Sequence, residues 1–430
     1  MCRWQQGTDE LALDVHHFRL VPALPHLRFR VALVAVAAVA ACLFLPVVGA
    51  QAASLREEFQ ATLSEPDRKK FNDYVAAQIF HQAALDAYWS HVDKKRNLRR
   101  AKKRADRPIT KQDYVNEQPP SYSGPSLGQV LARRWRAFQE QREEQRPPSR
   151  SEGLPTVEDF ISSARRNYGF VADRVSEREF KERYAREALA LGLTGEQVVR
   201  VYALETSGLG TADMQAGIHP ITRKGSPIST AIGYAQLLAA NSISELAKHG
   251  SDFVARLKAL ARRAEPGSAR QKRLMEKAQA LTRMTSKARS MPRVWSRHVA
   301  FSKTDLGRGI HAINMDGDIG PWLQVIKLKG LRSTALNAGY DRLTGAEIEL
   351  MNLAGPGTGL EMMTPAGRGA PTTNFFSRAA YYRNTIVRGK SSSGLLHALD
   401  ERMNENLKNA GAVEFIQIFN RLNGGRSAAR

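Results

Sequence analysis

The feature that most limits the fold of this chain is a missing one. Between residues 156 and 430 no window sustains the alternation of apolar and polar positions, enriched in β-branched residues, that a strand requires. What recurs is a spacing near 3.6. Phe180, Tyr184, Ala188 and Leu191 fall at i, i+4, i+8 and i+11, which is one face of a helix. Gly192 closes that helix, and Thr194-Gly195-Glu196-Gln197 is a capping-box pattern that opens the next. The spacing therefore predicts a mainly α fold with little sheet, and no internal repeat is present.

Upstream the helical spacing continues in a different composition. Residues 54–105 read as one or two helices through Phe71, Val75, Ile79, Tyr88 and Trp89, with a start near Ser64 and Pro66. This basic helical region, 53–107, ends in the run Lys94 to Arg107, nine Lys/Arg against Asp93 and Asp106. Such a run is either a solvated helix face or an anchor on an anionic polymer or membrane surface. Pro119-Pro120, Pro125 and Pro147-Pro148 mark 108–155 as a linker, with a short helix from Val130 to Gln145 inside it. A compact helical domain is expected over 156–395, and a helical tail over 396–430.

Residues 1–52 read as an export signal. Arg28-Phe29-Arg30 leads into the apolar run Val31 to Val48, and Ala50-Gln51-Ala52 supplies an A-x-A cleavage pattern. Two rival readings stay open. The 18 apolar residues just span a bilayer as an uncleaved anchor, and Val39-Ala40-Ala41-Cys42 resembles a lipoprotein cleavage box. The whole chain carries 64 Lys+Arg against 42 Asp+Glu, a net charge of +22, and only two cysteines, Cys2 and Cys42. A disulfide framework and a cysteine-based zinc module are thereby excluded. An exported protein, periplasmic or wall-associated, meets polyanions other than nucleic acid: wall polymers, lipid headgroups and acidic glycans. Within it, residues 252–300 hold 13 Lys/Arg and three acids, or +10 over 49 positions.

The candidate chemistry begins at Glu205. In the helix opened at Thr194, Val198, Tyr202 and Glu205 stand at i, i+4 and i+7, so the glutamate shares a face with apolar residues. Ser207-Gly208 and Gly210 place it in the last turn. Partial burial and the negative end of the helix dipole both favour the protonated carboxyl, as a general acid requires. The competing reading is a carboxylate that reaches solvent or pairs with an arginine.

Three further segments accompany it: Ser229-Thr230-Ala231-Ile232-Gly233-Tyr234-Ala235-Gln236-Leu237-Leu238, then Leu353-Ala354-Gly355-Pro356-Gly357, then the aromatic pair Tyr381-Tyr382. With Glu205-Thr206-Ser207-Gly208, this order resembles the soluble lytic transglycosylase family of the goose-lysozyme-like superfamily over roughly residues 180–390. The family's signatures are E-S-x-G/F, G-x-x-Q-L, Y-N-A-G-P-G and a late tyrosine. The resemblance implies a lysozyme-like helical domain behind the basic N-terminal region, with a basic helical insertion at about 244–308. It implies Glu205 as the single catalytic acid/base, acting on peptidoglycan glycan strands without cofactor or metal. Thr206, Ser229, Gly233, Gln236, Asn352, Tyr381 and Tyr382 then become candidate substrate-binding residues. Gln236 would line the groove and Gly233 would let the backbone approach the sugar. Two departures stand out: Thr206 replaces the serine after the glutamate, and Asn352-Leu353 replaces the Tyr-Asn pair before A-G-P-G.

Glycoside hydrolysis normally takes two carboxyl groups. Between Glu205 and Glu245 the only other acid is Asp213, a candidate second acid that would make the protein a hydrolytic muramidase. A lytic transglycosylase needs one carboxyl, which first protonates the glycosidic oxygen and then deprotonates the C6 hydroxyl to close a 1,6-anhydro ring. A third reading is a catalytically silent wall-binding protein. Asn314, Asp316 and Asp318 alternate like the start of a calcium loop, but Ile319 and Val325 stand where glycine and glutamate are needed. His219, His249, His298 and His311 show no ligand spacing. Trp295, Trp322 and Tyr340 are expected in the core.

Overall fold

The computed structural model describes residues 55–145 and 153–427, so the apolar run and cleavage pattern of 1–52 lie outside the described residues. Among the latter no helix is long and apolar enough to cross a membrane. They form two compact units, with one cut at 91/92, inside the basic helical region expected over 53–107. The smaller unit takes 55–91 and 119–145, and the larger takes 92–118 and the chain from Gly153.

In the smaller unit the helix α1 (Glu65–Arg104) contributes its first part and α2 (Gly128–Glu144) its partner. Their core is small and aromatic. Phe59, Leu63, Phe71 and Leu131 are buried, with Trp135 and Phe138 packed against them. Phe71 meets Phe59 and Trp135 at ring separations of 5.0 and 5.1 Å, both edge-on, the arrangement that ring quadrupoles favour.

The larger unit is helical throughout, and its described residues contain no strand, only isolated bridges in the loops. Helices α3 (Val157–Tyr168), α4 (Glu177–Ala190) and α5 (Gly195–Thr206) lead into the 207–238 loop. The segment expected as a basic insertion at about 244–308 lies in α6 (Ala239–Arg263), α7 (Ala269–Arg289), α8 (Trp295–Ser302) and α9 (Asp305–His311). The chain continues through α10 (Gly320–Asn337), α11 (Gly345–Ala354), α12 (Pro356–Met363), α13 (Arg378–Arg383), α14 (Ser392–Asn406) and α15 (Ala410–Ser427).

Two cores organise this unit. One joins α3 to α6 and α7: Phe160, Phe253, Leu257, Leu281 and Met284 are buried together with Ile232 and Leu237 of the loop. The other is aromatic. Tyr234 meets Tyr202, Phe180 and Phe415 at 4.8, 5.1 and 5.7 Å, tying the loop to α4, α5 and α15. The segment expected as a separate tail is therefore part of this core, because Phe415 is fully buried in it. Trp322 is partly buried against the first core, with the Arg256 guanidinium 4.1 Å from its ring centre.

The basic run at the end of α1 divides by face, which corrects the reading of it as one charged surface. Arg99 is buried, donating to Glu361 at 2.8 Å and to the Asn374 carbonyl at 2.7 Å. Arg96 donates to the carbonyls of Thr373 and Phe376, and Lys102 pairs with Asp113 at 2.7 Å. Lys94, Arg100, Lys103, Arg104 and Arg107 are exposed. The candidate calcium loop is likewise filled from within the chain. Lys277 of α7 lies 2.7 Å from both Asp316 and Asp318, and Arg270 and Arg183 reach Asp318 at 2.6 and 2.7 Å.

Candidate active site

Glu205 is positioned by both ends of α5. At the start, the Thr194 hydroxyl accepts from the Gln197 N–H and the Gln197 carboxamide accepts from the Thr194 N–H. That reciprocal cap fixes the register of the helix. Val198 and Tyr202 are buried as expected, and Glu205 is half-buried. At the far end Ser207 and Gly208 adopt left-handed φ values of 54° and 64°. The carbonyls left over by the last turn are taken by the C-terminal helices. Asn406 and Asn409 donate to Ala203 and Ser207, each at 2.8 Å, and the Ala412 N–H donates to Gly208 at 3.0 Å. A side chain on residue 208 would stand 2.3 Å from the Asn406 carbonyl, so this stop needs glycine.

Two residues of α11 meet the glutamate. Thr344 and Glu347 cap this helix reciprocally, and every residue from Ile348 to Ala354 is buried. Asn352 and Glu349, one turn apart, are the polar groups in that stretch. The Asn352 carboxamide donates to Glu205 Oε1 at 3.3 Å and to both oxygens of Glu349 at 3.4 Å, long contacts from one nitrogen spread over three acceptors. Glu349 has no exposed surface and is itself hydrogen-bonded to Glu205. Burial pushes its carboxyl up to about 8, against the hydrogen bonds from Glu205 and Asn352 and the charge of Lys327. Lys327 of α10 is pushed down by burial, with Glu245 and Glu349 acting against that and Lys248 with it.

Sequence reasoning missed Glu349. It lies 144 positions from Glu205, so a search for a second acid near Glu205 in the chain does not reach it. The available signal was a glutamate and an asparagine at i and i+3 in an otherwise apolar helix running into Ala354-Gly355-Pro356-Gly357.

The second motif forms a closed turn. Ile232 and Leu237 exchange backbone hydrogen bonds at 3.1 and 3.0 Å, and Gly233 and Gln236 take φ values of 82° and 41°. The Gln236 carboxamide is spent inside it, donating to the carbonyls of Gly233 at 2.8 Å and Met214 at 3.1 Å. The expected reason for Gly233 is corrected. An added Cβ would stand 2.4 Å from the Gln324 side chain, so the room glycine leaves is filled by a buried glutamine that accepts from the Ala235 N–H at 3.0 Å. Ser229 is buried and accepts from the Ala231 N–H at 3.1 Å.

The remaining candidates separate. Thr206 has no exposed surface, and its hydroxyl turns back to the Tyr202 carbonyl at 2.6 Å, so it braces α5 and is not open to a substrate. Tyr381 is buried, its hydroxyl accepting from the Gly389 N–H at 2.9 Å and donating to Gln118 at 3.4 Å, while Tyr382 is 39% exposed and edge-on to it. Asp213 is buried among partners: Arg174, Arg223 at 3.1 Å and the Thr211 hydroxyl at 2.6 Å. Burial alone would raise its pKa, but these partners hold it below the usual carboxylate range. It anchors the loop as an ionised carboxylate, and the acid beside Glu205 is Glu349.

No family model matches the chain, and neither a curated protein nor a solved structure does.

Proposed function

We propose that the chain is an exported lytic transglycosylase with a lysozyme-like helical domain, cleaving peptidoglycan between MurNAc and GlcNAc with Glu205 as acid and then base. The observation that carries this reading is the contact between Asn352 and Glu205, which joins the first and third motifs across 147 positions. The second motif reaches the same helix through Tyr234 and Tyr202. Glu205 gives its proton to the glycosidic oxygen as the bond from C1 breaks. Its carboxylate then takes the proton of the C6 hydroxyl, whose oxygen bonds to C1 and closes the 1,6-anhydro ring. One proton leaves the site and one returns.

The position of Glu349 favours this route over hydrolysis. Paired carboxyls that hydrolyse glycosides stand about 5–5.5 Å apart when retaining and about 6.5–9.5 Å apart when inverting, with room for a nucleophile or a water. Glu349 is fully buried and in hydrogen-bond contact with Glu205, which leaves no room between the two carboxyls for a water or a sugar. Lys258, Arg262, Arg263, Lys272 and Arg273 are exposed on α6 and α7 and give the unit a basic face suited to an anionic wall polymer. Mass spectrometry of the muropeptides released by wild type and Glu205→Gln tests the assignment. Anhydro ends are expected from wild type, one water lighter than reducing ends, and a loss of about 10³-fold or more from the variant. Near wild-type release by Glu205→Gln sinks it.

A further inference from the structure

We propose that Glu349 is a positioning residue of this site: its buried carboxyl and that of Glu205 hold one proton in common, with Asn352 bridging them. The inference rests on the reading of Glu205 as the catalytic acid, but its physical basis is separate. Two carboxylates repel and neither can donate, so a hydrogen bond between carboxyl groups requires a proton on one of them. Glu349 is fully buried and linked to Glu205, and a single amide donor spans both groups. The pair thus presents one acid and one carboxylate where the sequence showed a lone glutamate.

The surroundings keep that proton in place. The groups acting on Glu349 are Glu205 from α5, Asn352 from its own helix and Lys327 from α10. Lys327 in turn faces Glu245 and Lys248 of α6. The other helices packed on α11 bring carboxylates that are already engaged: Glu361 of α12 is bound by Arg99, Asp400 of α14 by Arg200 and Glu401 of α14 by His397. With burial dominant, the Glu349 carboxyl keeps its proton until about pH 8. In the first step Glu205 passes the shared proton to the leaving oxygen, and both carboxyls are then ionised. The proton taken from the C6 hydroxyl returns the pair to its one-proton state. Repulsion from Glu349 makes Glu205 a stronger base at the moment a base is needed.

The test compares full-length wild type, Glu349→Gln and Glu205→Gln. Infrared difference spectra at pH 7 are expected to show one protonated-carboxyl band in wild type that is missing from Glu349→Gln and kept in Glu205→Gln, where burial still holds the proton on Glu349, read without reference to activity. Cleavage of purified peptidoglycan is expected to hold up to about pH 8 in wild type. In Glu349→Gln the neutral amide no longer repels the Glu205 carboxylate and can donate to it, which favours that carboxylate, so the alkaline limb should move down by at least one pH unit. The loss of rate at pH 8 should exceed the loss at pH 5 by about tenfold, whereas a merely structural role would lower the rate equally at every pH. A band absent from wild type, or kept in Glu349→Gln, overturns the proposal, as does an unmoved limb. The expected bands from a protein that releases no anhydro products would uphold the shared proton and remove the transglycosylase reading instead.

Discussion

Two carboxyl pairs of the larger unit are held in opposite ways. Asp316 and Asp318 are clamped by cations: Lys277 at 2.7 Å from each, with Arg270 and Arg183 on Asp318. Asp316 also accepts from the backbone N–H groups of Asp173, Asp318 and Ile319. Burial still pushes Asp316 up, while Asp318 is held below the usual range by Arg270 and Lys277 although burial acts the other way. Glu205 and Glu349 have an amide at 3.3–3.4 Å and Lys327 acting only through its charge. The first pair fastens α7 to the 316–318 turn. The second leaves negative charge unmatched, so a proton has to supply the balance, and a transferable proton is what acid–base chemistry uses.

The largest effect that distinguishes the pairs is on stability. Lys277→Met leaves Asp316 and Asp318 buried without their shared cation, which should cost about 3–5 kcal/mol. That is roughly a 10 °C fall in Tm for a unit of this size. Because burial already favours protonated Asp316, the loss should shrink on acidification, when Asp316 can bind a proton in place of the ammonium. Calorimetry at pH 5 and pH 8 checks both statements. A fall in Tm of less than about 2 °C at pH 8 would mean that this pair is no structural clamp.

Removing a member of the other pair should do the reverse. The Glu349 carboxyl is raised in the folded chain from 4.5 to about 8. A group raised in this way supports folding below its ordinary value, and that support is lost as pH climbs toward the folded value. Glu349→Gln keeps the shape and cannot ionise. Its stability should therefore match wild type at pH 5 and exceed it at pH 8 by an amount on the order of 1–3 kcal/mol, read as a higher Tm. A variant less stable than wild type at pH 8 would place Glu349 with the clamped carboxylates.

The two pairs also differ in how far they could be read in advance. Signals confined to one turn of chain were legible: the Thr194–Gln197 cap, the stop at Ser207-Gly208 and the inward face of Glu205 all appear where the spacing puts them. These depend on neighbours within four residues. Pairings across the fold were not. Lys277 reaches Asp316 across 39 positions, and Arg99 reaches Glu361 across 262, so a basic stretch reads as surface charge until the partner is known. Helix α11 hid Glu349 for another reason: it is buried on nearly every side and offers no solvent face against which a polar residue stands out. The closed turn at Gly233 and Gln236 was visible as a motif, but its occupant, Gln324, comes from a distant helix.

Asp213 supplies the finest test of the comparison, because it was the acid that the sequence offered as Glu205's partner. Its carboxylate is compensated like that of Asp318, yet by arginines whose side chains are 51% and 54% exposed. Ion pairs with partners so accessible are screened by solvent and worth less than about 1 kcal/mol. Since Asp213 is depressed in the folded chain, that contribution exists above its ordinary pKa and disappears as acid protonates it. Asp213→Asn should then lower Tm by about 2 °C or less at pH 7, by a still smaller amount at pH 3, and keep most of the cleavage rate. Loss of cleavage with an unchanged Tm would break the rule drawn from the two pairs. A fully compensated carboxylate would then be doing chemistry, and the reducing ends expected of a hydrolase should appear among the products.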